Sequence, residues 1–200
     1  MQTPFNTLFK ALFLAVLSLA PTAWAADPKA ATPNSSSAAE CPAVLRHTVE
    51  RLQDEKPQNL CQYAGQVVVV NTASYCGFTP QYKSLEALYD KFKDKGLVVL
   101  GFPSNDFSQE PGNNQKIADF CENTYGVKFP MFSKTTVRGS DASPLFKQLT
   151  KLSDTAPKWN FYKYMISRDG KQVKSYNSTT DPMDKAFLAE VEKLLITRAN

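Results

Sequence analysis

Four consecutive valines, Val67 to Val70, running into a turn that carries a single cysteine, Cys76, constrain this chain more than any other feature. An unalternated β-branched run reads as a strand buried on both faces, which requires a layer of structure on each side of its sheet. The run ends at Asn71-Thr72-Ala73-Ser74, and Cys76 follows where the chain must turn. Thr79-Pro80 then signals a helix start, with threonine as N-cap and proline at the first helical position. Behind it Tyr82, Leu85, Leu88, Tyr89 and Phe92 recur at helical spacing. A thiol between a strand end and a helix N-terminus faces unpaired N–H groups and the positive end of the helix dipole, and both favour thiolate. The same local pattern also fits a small, inert cysteine in a tight turn.

Lys95-Gly96 closes the helical pattern as a C-terminal glycine does, and residues 97–102 (Leu-Val-Val-Leu-Gly-Phe) read as a second buried strand. Strand, helix, strand is a βαβ unit with parallel pairing and a right-handed crossover. Both strands then end at one edge, so the loop 103–112 is expected near Cys76, where α/β proteins place ligand sites. Further on the pattern predicts a helix over 113–125 with Ile117, Phe120, Cys121 and Tyr125 on one face, and a short strand beginning at Phe129-Pro130-Met131-Phe132. A helix is expected over 143–152, with Leu145, Phe146, Leu149 and Leu152 on its stripe. Segments 160–167 and 172–177 flank the Asp169-Gly170 hairpin signal. A last helix is expected from Asp181-Pro182, carrying Phe187, Leu188, Val191, Leu194 and Leu195 inward. Residues 44–60 have no clean period and read as a short hairpin or irregular entry to the first core strand. The order β-α-β-α-β-α-β-β-α implies an α/β fold of thioredoxin-like arrangement, a central mixed sheet flanked by helices.

The N-terminus lies outside this pattern. Residues 1–25 combine a positive start at Lys10, an apolar run over 11–20 too short to span a bilayer, and the small-x-small site Ala23-Trp24-Ala25. That is a secretory signal peptide. Residues 26–40 are rich in Ala, Pro, Ser, Asn and Thr and read as a flexible leader to a folded domain over 41–200. The chain is therefore expected to be exported, most simply to a periplasm, and not to be inserted in a membrane once cleaved. Cleavage after Ala25 removes Lys10 and no acid, taking the net charge from +4 to +3. No basic block interleaved with aromatics is present, which argues against nucleic-acid binding.

Export places the four cysteines, Cys41, Cys61, Cys76 and Cys121, in an oxidising compartment. Four cysteines allow three pairings, and the sequence alone does not choose among them. Cys41 and Cys61 both precede the first core strand, so a structural bridge between them is the preferred reading. It leaves Cys76 and Cys121 for chemistry. His47 is the only histidine, which argues against a cysteine protease, a zinc site or a copper site that sets His beside Cys.

Three stretches, 71–79 (Asn-Thr-Ala-Ser-Tyr-Cys-Gly-Phe-Thr), 102–112 (Phe-Pro-Ser-Asn-Asp-Phe-Ser-Gln-Glu-Pro-Gly) and 158–161 (Lys-Trp-Asn-Phe), together resemble the glutathione peroxidase family. The resemblance covers about residues 45–196. It implies reduction of hydrogen peroxide and organic hydroperoxides on a thioredoxin fold, protecting against oxidative stress. It also implies a nucleophile at Cys76 and a tetrad completed by Gln109, Trp159 and Asn160. These are neutral N–H donors. Aimed at the sulfur they favour thiolate without a histidine base. Aimed at the leaving oxygen they act as an oxyanion hole, which typically contributes about 2.7–4 kcal/mol per donor.

The resemblance further implies no bound cofactor and an external thiol reductant, either glutathione or a thioredoxin-like protein. In many cysteine-containing members a resolving cysteine in the second helix first forms a disulfide with the nucleophile. Cys121 is the candidate for that role here, with a packed core thiol as the alternative. Three departures stand out. Ser104 replaces a second cysteine common in the family. Asp106 replaces a usual glutamine and is expected to put a carboxylate near the thiol. Only residues 153–158 separate Leu152 from Trp159, a short form that resembles monomeric, thioredoxin-type members. Two competing readings are a thiol–disulfide oxidoreductase, against which stands Thr79 in place of the second cysteine of Cys-x-x-Cys, and a redox-inactive binding domain.

Overall fold

The computed structural model describes residues 41–196; the signal peptide and leader expected over 1–40 lie outside the described residues. A short antiparallel hairpin, β1 (Thr48–Glu50) and β2 (Pro57–Asn59), opens the domain between two 3₁₀ turns, Ala43–Leu45 and Leu60–Tyr63. Cys41 and Cys61 are joined by a disulfide, with their Cα atoms 5.3 Å apart. The hairpin and the bridge agree with the sequence reading of this segment.

The main sheet has strand order β4-β3-β5-β6, formed by β3 (Gln66–Thr72), β4 (Leu97–Pro103), β5 (Lys163–Ile166) and β6 (Val173–Tyr176). β3 pairs in parallel with β4 and antiparallel with β5, and β5 pairs antiparallel with β6. The sheet is therefore mixed, and the valine strand is one of its two inner members, with every residue buried. Alternation along β3 divides the core in two. Val68 and Val70 face α1 (Gln81–Phe92), α2 (Asn114–Tyr125) and α4 (Lys185–Ile196), while Val67 and Val69 face α3 (Pro144–Ser153). Each fully buried valine contributes about 1.5–3 kcal/mol of transfer free energy, which is why the run tolerates no polar interruption before Asn71. Among the described residues no helix is long and apolar enough to cross a membrane.

Four local expectations are corrected. First, the segment 129–132 is not a strand but makes two isolated bridges, Gly101 with Met131 and Arg51 with Phe132. Pro130 has no N–H to extend a ladder, and the segment lies so close to β4 that a Cβ at Gly101 would overlap Met131 Sδ. Second, α1 begins at Gln81, and Thr79 does not cap it. The Thr79 hydroxyl accepts the Cys76 N–H and donates to the Ala73 carbonyl, both at 3.0 Å, because the turn residues are nearer than the helix amides. Third, α4 begins at Lys185 rather than at Asp181. The Asp181 carboxylate instead accepts the Met183 N–H and holds a preceding turn. Fourth, Leu152 is exposed rather than inward, since α3 ends at Ser153 with Asp154 in the left-handed region.

Candidate active site

Three connections converge at the carboxyl ends of β3 and β4: the turn after β3, the loop after β4, and the segment leading into β5. The turn carries Cys76, which is 7% exposed. Its Sγ accepts one hydrogen bond, from the Phe78 N–H at 3.4 Å. That donor comes from the irregular turn between Cys76 and α1 rather than from the helix. The turn is closed by the Thr79 N–H donating to the Cys76 carbonyl and the Gln81 N–H donating to the Phe78 carbonyl.

The loop after β4 brings Gln109 to this turn. The Tyr75 N–H donates to the Gln109 carbonyl at 3.1 Å, and the Gln109 side chain accepts the Asn160 Nδ2–H at 2.9 Å. Gln109 thus bonds both the cysteine turn and the segment before β5. Asn160 is fully buried, and its Oδ1 has no partner. Trp159 is 41% exposed, and its ring lies 5.4 Å from that of Phe107, in the loop after β4. Among the described residues, the Gln109 amide N–H groups and the Trp159 indole N–H make no hydrogen bond, and none of the three side chains donates to the Cys76 sulfur. The structure therefore groups the tetrad residues in one place, with Gln109 and Asn160 in direct contact and two sets of donors open to an incoming ligand.

Two residues that the sequence reading did not single out hold this arrangement. Asn71, buried at the end of β3, grips the segment before β5 at four points, its N–H donating to the Tyr162 carbonyl at 3.3 Å. Its Nδ2 donates to the Trp159 carbonyl, its Oδ1 accepts the Tyr162 N–H, and its backbone carbonyl accepts the Phe161 N–H. Phe161 has φ +62°, an unusual conformation for an aromatic residue, and the two bonds on either side of it hold the chain in that shape. Glu110 is 1% exposed, and its Oε2 accepts both the N–H and the hydroxyl of Ser74, at 2.7 and 2.8 Å. Burial pushes the Glu110 carboxyl above its ordinary range, and the Ser74 bonds oppose that rise.

Asp106 does not face the thiol as expected. Its carboxylate accepts the N–H groups of Val137 and Arg138, so it serves as an anchor for that loop. Ser104 is buried, and its N–H continues the β4 edge to the Thr72 carbonyl. His47 contacts Gln148 at 2.8 Å through Nε2, far in sequence and fold from Cys76. Cys121 lies in the middle of α2, 3% exposed and unbonded to Cys76. Burial pushes its thiol up to about 11, with the Tyr82 hydroxyl pulling the other way. Lys163, fully buried on β5, donates to Gln81 Oε1 and to the Thr180 carbonyl, both at 2.7 Å. Burial lowers its ammonium to about 7.

Residues 45–150 match the family model described as glutathione peroxidase. A hydroperoxy fatty acid reductase of Synechocystis is 49% identical over 154 residues, 71% of this chain and 90% of its own. A glutathione peroxidase-like peroxiredoxin of Saccharomyces cerevisiae is 45% identical, over 67% of this chain and 86% of that one. Among solved structures, the apo form of Trgpx is 36% identical with a TM-score of 0.63, covering 78% of this chain and 97% of that one. A secreted disulfide oxidoreductase of Mycobacterium tuberculosis, at 14% identity and a TM-score of 0.52 over 76% of this chain and 96% of its own, shares the thioredoxin-like fold.

Proposed function

Because this chain belongs to the glutathione peroxidase family and is a thiol-dependent peroxidase that reduces hydroperoxides, we propose that Cys76 is its nucleophile and that Gln109, Trp159 and Asn160 are its donors. One observation carries the assignment: Gln109 is bonded at once to the Cys76 turn, through Tyr75, and to Asn160. That double tie supports reading Gln109 as a donor held next to the cysteine turn, with Trp159 adjoining Asn160 in the chain.

The Cys76 thiolate attacks one peroxide oxygen. The S–O bond forms to the hydroxyl-bearing oxygen as the O–O bond breaks, and the departing alkoxide takes a proton from solvent water to leave as alcohol. Cysteine is oxidised to sulfenic acid and the peroxide is reduced by two electrons. The Phe78 N–H stabilises the anionic sulfur before attack. The open Gln109 and Trp159 donors meet the charge that develops on the leaving oxygen.

The sulfenic acid is returned to thiol by an external reductant. We assign this to a thioredoxin-like dithiol, with glutathione as the competing donor, and with Cys121 as resolving residue. In that scheme the Cys121 sulfur displaces water from the sulfenic acid to give a Cys76–Cys121 disulfide, which the dithiol then reduces by exchange. The short connection before Trp159 supports a monomer. The Cys41–Cys61 bridge supports an exported, periplasmic enzyme acting against peroxide stress.

Cys76→Ser tests the core of the reading. Peroxide consumption with excess dithiol should fall at least about a thousandfold, some 4 kcal/mol of transition-state stabilisation. Retention of more than a tenth of the rate would refute the assignment.

A further inference from the structure

Glu110 is the one buried carboxylate at the site that the mechanism above does not use. Its position is built rather than incidental. Oε2 takes both donors of Ser74, and the neighbouring Gln109 carbonyl takes the next amide along, from Tyr75. Two consecutive residues of the loop after β4 therefore hold two consecutive residues of the turn, and Cys76 is the next residue in that turn. The loop is held in its own place by the bond from the Glu110 N–H to Asn105 Oδ1, and by Lys134, whose Nζ approaches the Glu110 carbonyl at 3.4 Å. Gln109 cannot move relative to Cys76 unless the Ser74–Glu110 contact yields.

We propose that Glu110 is a positioning residue whose carboxylate sets the register between the Cys76 turn and the Gln109 donor, and that its protonation in mild acid loosens that register and slows peroxide reduction. The proposal rests on the reading of Cys76 and Gln109 given above. A carboxylate accepting two hydrogen bonds holds them about twice as strongly as a neutral acceptor does. Adding a proton leaves the fold standing but weakens the clamp. Desolvation of Glu110 moves this event above the usual glutamate range, while the Ser74 bonds draw it back. The charged and titratable groups that act with it are Lys134 from the loop after 132, the Cys121 thiol of α2 and the Tyr82 hydroxyl of α1. Burial raises both α-helical groups, so neither ionises in mild acid, where the raised Glu110 carboxyl does change charge.

The consequence separates two reactions of one sulfur. Alkylation of Cys76 by iodoacetamide needs only the thiolate, whereas peroxide reduction also needs Gln109 in place. The pH profile of kcat/KM for hydrogen peroxide should therefore show an acid limb that the profile of alkylation lacks. Glu110→Gln, a permanent mimic of the protonated form, should remove that limb and lower the plateau about tenfold, against the roughly 10²-fold that a misplacement of about 1 Å can cost. Its alkylation profile should match that of the unsubstituted enzyme. Ser74→Ala removes one of the bonds that draw the carboxyl down, so its extra limb should move to higher pH, which gives a second test should Glu110→Gln fail to fold. A Glu110→Gln enzyme with the original limb and plateau would overturn the proposal. So would equal losses in alkylation and peroxide reduction, or a limb unmoved by Ser74→Ala. If Cys76→Ser retained activity, the assignment of the nucleophile would fail instead, which is a distinct result.

Discussion

The two unbonded cysteines, Cys76 and Cys121, share one hydrophobic cluster and almost the same exposure, 7% against 3%. Exposure therefore does not distinguish the two thiols; the backbone around each does. Cys76 sits in an irregular turn where the Phe78 amide is free to approach the sulfur. Cys121 sits within α2, where the surrounding amides are committed to the helix. Its own carbonyl also closes the helix end, accepting the Val127 N–H at 3.2 Å beyond Gly126 in the left-handed conformation. Freeing the Cys121 sulfur for a disulfide therefore means opening that end of α2, a sub-global unfolding event.

The sharpest test of this contrast is differential alkylation followed by peptide mass measurement. A rise of the Cys121 thiol from its ordinary 9.0 to about 11 lowers its thiolate fraction about a hundredfold at neutral pH. That suppression slows modification of Cys121, so Cys76 should be the thiol alkylated first in the native protein. Comparable rates would break the comparison at its root.

Much of this was legible in advance. The valine run, the βαβ unit and the Asp169-Gly170 hairpin are local signals whose period or turn chemistry dictates the outcome, and each is where the pattern placed it. The βαβ unit already set the loop carrying Gln109 beside the cysteine turn, whereas the placement of Asn160 there was legible only because the three motifs resemble a family. What the pattern could not show is side-chain choice between competing partners. Thr79 had helix amides and turn amides to choose from and took the turn. Asp106 was expected toward the thiol, and its carboxylate went to the 137–138 backbone. Glu110 and Asn71 owe their roles to contacts across 36 and 88 residues of chain, which no local window contains.

The bonded pair, Cys41 and Cys61, supplies the other side of the comparison, sulfur used for stability alone. Replacing both with alanine should lower stability by about 3 kcal/mol on the chain-entropy model for a loop of this size, read as the denaturant midpoint. The rate of Cys76 with peroxide should stay within about threefold. A peroxide rate that fell with stability would join the hairpin to the active site, contrary to the separation drawn here.

Cys121→Ser addresses the smaller effect expected within the free pair. With a thioredoxin-type dithiol, steady-state turnover should fall about tenfold, or 1.4 kcal/mol, because the sulfenic acid must then wait for the external thiol. Full turnover would remove Cys121 from the cycle and leave it as a packing residue.

The smallest expected effect is a pH dependence of stability that treats Cys121 and Lys163 as opposed buried groups. Lys163 holds its proton only below about pH 7 in the fold, against an ordinary value of 10.5 when exposed. Above pH 7 the unfolded chain thus binds a proton that the native state does not, so stability rises with pH. Cys121 works in the other direction but later. Its folded value near 11 exceeds its ordinary 9.0, so from pH 9 upward the native state retains a proton that the unfolded chain releases, and stability falls. Urea unfolding should therefore show a gain on the order of 1 kcal/mol between about pH 7 and 8.5, flattening above pH 9. Lys163→Met should abolish the rise, since it removes the titrating group while filling the same buried space. Cys121→Ser should remove part of the flattening and leave the rise intact. A Lys163→Met profile that still climbed from pH 7 would place the proton elsewhere, and the buried lysine would then be held charged by Gln81 and the Thr180 carbonyl throughout.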